Sequence, residues 1–108
     1  MANEGVRVLH LTLHRKWFDA IADGEKLVEY RAINPYWDKR LCPGGLARVF
    51  DEIHFRNGYS QAAPWMRVAW KVLSFATWEG ATVYGIKLGA RLEIKNWTGP
   101  RPEEARET

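Results

Sequence analysis

Cysteine is nearly absent from this sequence: Cys42 is the only one in 108 residues. One thiol excludes an internal disulfide and any zinc cluster built on cysteines, and it fits a reducing compartment. No apolar run approaches the length of a membrane span, and the N-terminus shows no signal-peptide pattern. The expectation is a soluble, cytoplasmic protein with no membrane role. Internal repeats and low-complexity segments are missing too, and the length leaves room for one domain.

Apolar residues make up 46% of the chain and charged residues 27%, the balance of a globular protein able to bury a core. Six tryptophans are more than a small interior easily hides. One or two partly exposed indoles would serve as stacking surfaces for a nucleobase. The formal charge is +3. Residues 1–97 hold 14 of the 16 Lys and Arg but 10 of the 13 Asp and Glu, so the tail holds two against three. The folded part is therefore the basic part, which favours an anionic partner.

Val6 to Leu13 is β-branched and apolar enough for a strand. Trp17, Phe18, Ile21 and Ala22 form a one-turn stripe that predicts a helix over 14–23, with Gly24 as its left-handed cap. Lys26 to Ile33 reads as a second strand. Asn34-Pro35 breaks it and starts a short helix through Leu41. Cys42-Pro43-Gly44-Gly45 is a loop, and Val49 to Phe55 a third strand ending at Asn57-Gly58. Met66, Val68, Trp70 and Val72 alternate with Arg67, Ala69 and Lys71, predicting a strand to Phe75. Residues 82–88 and 91–97 read as two more strands joined by a tight turn at Gly89-Ala90. Residues 1–5 and 98–108 read as flexible ends. The order predicts an α+β domain, a small, partly closed mixed β-barrel of about six strands with one main helix and a short second one.

At the junction of helix and second strand stand Gly24, Lys26, Glu29 and Arg31. Residues two apart on a strand share a face, so Glu29 and Arg31 are neighbours. Taken alone, this is either a solvated ion pair or a site. The pattern G-x-K-x-x-E-x-R, after an amphipathic helix carrying Trp17-Phe18-Asp19-Ala20-Ile21-Ala22-Asp23 and before Tyr36-Trp37, resembles the signature of the ASCH family over about residues 8–41. That family is similar in fold to PUA domains, which bind RNA. The resemblance implies a single PUA-like domain over 1–108, in which Lys26, Glu29 and Arg31 line a cleft for a phosphate or nucleobase. Arginine offers a planar fork, lysine a mobile point charge, and a carboxylate an acceptor for a base amino group.

Some relatives hydrolyse acetylated cytidine with a lysine and a threonine three residues later. Glu29 stands at that threonine position here, a departure that argues against amidohydrolase activity of that kind. Other family members cleave single-stranded RNA and need the motif lysine, which Lys26 retains. In such chemistry Lys26 would stabilise the phosphorane, with Tyr30 and His54 as proton carriers by residue type.

Tyr36, Trp37, Lys39 and Arg40 interleave aromatic and basic groups, either as a base-stacking edge or as a short helix docked by its rings. Tyr59, Ser60 and Gln61 form a polar loop, and Arg67 with Lys71 extends a basic strand face. His10 and His14 flank Thr12 like a metal pair, but a third ligand is missing, so no metal and no cofactor is expected. The expected partner is RNA, a nucleotide or a modified nucleoside, bound by a monomer without chemistry. A metal-independent hydrolase acting on single-stranded RNA or a modified nucleoside is the alternative. A protein-interaction module using exposed tryptophan is the third.

Overall fold

A computed structural model describes residues 5–100, so the outermost parts of the expected flexible ends lie outside the described residues. The elements run β1 (Val8–Thr12), α1 (Arg15–Ala22), β2 (Val28–Ala32), α2 (Pro35–Leu41), β3 (Glu52–Arg56), β4 (Trp65–Trp78) and β5 (Ala81–Lys95). A short 3-10 turn at Pro43–Gly45 falls in the segment expected to be loop. The strands form one mixed sheet in the order β1-β3-β4-β5-β2. Among the described residues only the β1–β3 pair is parallel, and the others are antiparallel. The α+β class and the succession of the first elements follow the expectation.

The barrel does not close. β1 and β2 are the two edges, and α1 carries the chain from one to the other. Both edge strands are only five residues long, and β2 carries charged side chains, the usual devices against further pairing. One side chain bridges the gap where a ladder would have closed it: Arg31 Nη2 donates to the Thr12 carbonyl at 3.4 Å.

Among the described residues five strands stand where about six were expected, because residues 81–95 run as one strand without a turn at Gly89-Ala90. The real hairpin turn is Glu79-Gly80, with φ of 50° and 80°. Two successive left-handed residues are what a two-residue connection with the sheet's own twist requires. Gly89 marks a bulge, one of several register slips along β4 and β5. A Cβ on Gly89 would lie 3.1 Å from the Ala69 side chain and 3.2 Å from its carbonyl oxygen, so glycine lets the strands approach here without displacing Ala69. The slips also change the phase of β4. Met66 and Val68 are buried as the alternation predicts, but beyond the last slip Val72 is 45% exposed and Leu73 packs on the core instead.

Leu9, Leu11 and Leu13 with Ile53, Phe55, Met66, Val68, Tyr84, Ile86 and Leu88 form the core, covered by Phe18, Ile21 and Ala22 of α1 and by Leu41 of α2. Buried Asp19 accepts from Arg15 and from the Trp97 indole, tying the end of the sheet to α1. Asn34 caps α2 by accepting from the Trp37 amide at 2.9 Å. Tyr84 donates to Asp38 at 2.5 Å and joins α2 to β5. That bond, then burial, pushes the Tyr84 phenol up to about 12. None of the six tryptophans is fully buried; Trp17, Trp37, Trp70 and Trp97 lean on the core, and Trp78 is 42% exposed. No helix of the described residues is long and apolar enough to cross a membrane.

Candidate functional site

Helix α1 ends because Gly24 adopts φ of 91° and its amide returns to the Ile21 carbonyl. Arg91 from β5 reinforces this end, donating to the Ala22 carbonyl and lying where a Gly24 side chain would go. A cation there also suits the negative end of the helix. Two residues on, the Lys26 amide donates to the Ala20 carbonyl at 2.9 Å, so Lys26 enters the site from an anchored backbone.

Glu29 lies opposite Ile86, and Arg31 opposite Tyr84. They share the inner face of β2, as period two requires. Glu29 is 5% exposed. Its Oε1 accepts from Lys26, and its Oε2 from Arg31 Nε at 3.0 Å and Nη2 at 2.8 Å. Burying a carboxylate alone would be costly, and the two cations offset that cost. The trio keeps one surplus positive charge. The Lys26 and Arg31 side chains remain 16% and 18% exposed, so each keeps some contact with solvent beside its bond to Glu29.

Tyr30 belongs to the opposite face and stacks on Trp78, with ring centres 5.2 Å apart at 26°. Trp17 meets Trp78 edge-on at 6.5 Å. Lys26 Nζ lies 5.2 Å from the Trp17 ring centre and 5.6 Å from that of Tyr30. These residues, with Glu29, Arg31, Ala32 and Val83, line an open cavity of about 260 Å³ at the β2 edge. That lies just under the usual range for small-molecule sites, and the three aromatic rings are part of its lining. It can stack a ring, donate hydrogen bonds from two cations and neutralise an anion.

The other candidates fall into separate places. Trp37 lies under the Arg31 guanidinium at 5.0 Å, so it supports the site from behind. Tyr36 is exposed and Arg40 covers it at 3.5 Å, while Lys39 is exposed on the same short helix. None of Tyr36, Lys39 and Arg40 lines the cavity. His54 lines a different depression with His10, Thr12, Arg56 and Tyr59. Arg67 is tied between Glu52 and Glu93. His14 occupies the N-cap of α1 without a side-chain capping bond, and His10 packs on His54. Among the described residues no group of three His, Cys, Asp or Glu side chains gathers as a metal requires.

Trp17, Ala32, Trp78 and Val83 line the cavity without being site candidates in the sequence, where Trp17 reads as part of the helix stripe. The dipeptide Glu79-Gly80 was the available signal, since a hairpin there places Trp78 at its tip. What it covers depends on β2 pairing with β5, which no local pattern reveals. Comparison with family models, curated proteins and solved structures finds no match to this chain.

Proposed function

We propose that this protein is a nucleic-acid or nucleotide-binding module of the ASCH type, its fold a PUA-like relative with an open sheet. The base of an RNA strand or nucleotide enters the cavity beside Trp17, Tyr30 and Trp78, and Lys26 and Arg31 take its phosphate or base edge. The observation that carries this reading is the aromatic cavity joined to a trio with one surplus positive charge. Base–aromatic stacking contributes about 1–3 kcal/mol per base and tolerates any base, because every base has a π-face. The Lys26–Glu29–Arg31 arrangement supports the family resemblance, because it makes the motif one connected unit. Binding is favoured over hydrolysis because Lys26 is engaged by Glu29, and His54, one proposed proton carrier, stands apart from the cavity.

Tryptophan fluorescence titration tests this with single-stranded RNA, single-stranded DNA and nucleoside monophosphates against wild type, Trp78→Ala and Lys26→Ala. Wild type is expected to quench and to weaken as salt rises. Trp78→Ala is expected to bind at least tenfold more weakly, and Lys26→Ala to lose part of the salt slope. Absence of quenching by every ligand, or wild-type affinity in Trp78→Ala, overturns the reading. A gel of the same mixtures in EDTA shows whether RNA is also cut.

A further inference from the structure

The outer face of the sheet carries a second cluster. The parallel register sets His10 beside His54 and Thr12 beside Arg56. The two imidazoles meet edge-on with centres 5.3 Å apart. Tyr59, 80% exposed, closes the rim, its hydroxyl 3.5 Å from Thr12 Oγ1. Together these residues line a depression of about 370 Å³. Arg56 also lines a neighbouring depression of about 210 Å³ with Ser60, Gln61, Trp65, Lys95 and Asn96.

Charge pairing on this face is uneven. Glu52 is bound by Arg67 at 2.9 Å and touches His54 Nε2 at 3.0 Å. Glu93 is bound by Arg67 at 3.1 Å and lies 3.7 Å from Lys95. The Arg56 side chain has no ion pair or hydrogen bond with any described residue. Three permanent cations thus meet two carboxylates, and the surplus sits at Arg56, between two depressions lined by hydroxyls, amides and imidazoles.

We propose that the His10–His54–Arg56 depression is a phosphate-binding seat whose affinity rises as pH falls. The shared chemistry is a phosphate oxyanion, and the favoured source is a nucleic-acid backbone, because Tyr59 and Trp65 offer rings at the rim on either side of Arg56. Arg56 supplies a fixed fork, Thr12 and Tyr59 supply hydroxyl donors, and each imidazole becomes a second donor only when protonated. The groups facing His10 are Thr12 on its own strand, His54, Arg56 and Glu52 on β3, Arg67 on β4, and Tyr59. Burial first, then the charges of His54 and Arg56, hold the His10 imidazole below its ordinary value. A bound anion reverses those last two effects, so phosphate and protons bind cooperatively. The seat is independent of the Trp78 cavity, and the two meet through Thr12, whose carbonyl accepts from Arg31.

The test is an NMR titration of the imidazole C–H signals with inorganic phosphate, in wild type, Arg56→Gln and Arg56→Lys. In wild type, phosphate is expected to move the His10 and His54 signals, to raise the His10 midpoint, and to bind about three- to tenfold tighter near pH 5.5 than near pH 7.5. Arg56→Gln is expected to lose the response and Arg56→Lys to recover part of it. A single-stranded RNA decamer forms the second arm. If it moves the same signals and weakens in Arg56→Gln, the phosphate comes from a nucleic-acid backbone; if only inorganic phosphate acts, it comes from a free phosphate. Imidazole midpoints indifferent to phosphate, or an equal response in Arg56→Gln, overturn the proposal. Nucleoside quenching at Trp78 stays intact in Arg56→Gln, so failure of one site is separable from failure of the other.

Discussion

Replacing Glu29 by glutamine isolates the electrostatic centre of the motif with little change of shape. The carboxylate gives one oxygen to Lys26 and the other to two nitrogens of Arg31. A glutamine keeps one acceptor and presents an NH₂ group to the other cation, so one charge-assisted contact becomes a repulsion. Removing one partner of a fully buried ion pair costs about 3–5 kcal/mol. Lys26 and Arg31 keep 16% and 18% exposure at a sheet edge and can turn towards water, which lowers the expectation. Glu29→Gln should therefore cost about 2–3 kcal/mol, a fall in Tm of roughly 10 °C for a domain of this size. Lys26→Met leaves Glu29 with Arg31 and should cost about 1 kcal/mol. The double variant should be less unstable than the two costs combined, by about 1 kcal/mol, because both remove the same contact. Urea denaturation followed by tryptophan fluorescence reads all three. A Glu29→Gln variant within about 0.5 kcal/mol of wild type, or strict additivity, refutes a coupled trio.

The Tyr84 phenol is raised to about 12 against 10 unfolded, so its contribution is complete below pH 10 and is lost as pH rises towards 12. Tyr84→Phe should flatten that alkaline loss in denaturant titrations at stepped pH, and an unchanged slope would assign it to other groups. Gly89→Ala sets a methyl against the Ala69 carbonyl and should destabilise by about 1–3 kcal/mol in thermal melts; neutrality there would show that Ala69 yields and that the close approach does not require glycine.

Much of the local structure was legible because its causes are local. Gly24 ends α1 because left-handed backbone favours glycine, and Pro35 opens α2 because its fixed φ suits a first turn. Glu29 and Arg31 share a face because a strand has period two. The alternation over 66–72 located β4 but misplaced its inward face after Trp70, since a bulge alters phase without a reliable mark in the sequence. Gly89-Ala90 carries the composition of a tight turn but sits at a bulge, so a local reading splits 82–88 from 91–97 where one strand runs through.

What tertiary structure alone decided was every pairing of distant segments. Trp78 meets Tyr30 only because β5 pairs with both β4 and β2. His10, His54 and Arg56 converge only through the parallel β1–β3 register, and the sheet stays open at the Arg31–Thr12 gap. Side-chain period and turn chemistry specify which face and where the chain bends, and they act over a few residues. Register between remote strands is chosen by the summed burial of a whole core and by the bulges that fit it, a property no single segment carries.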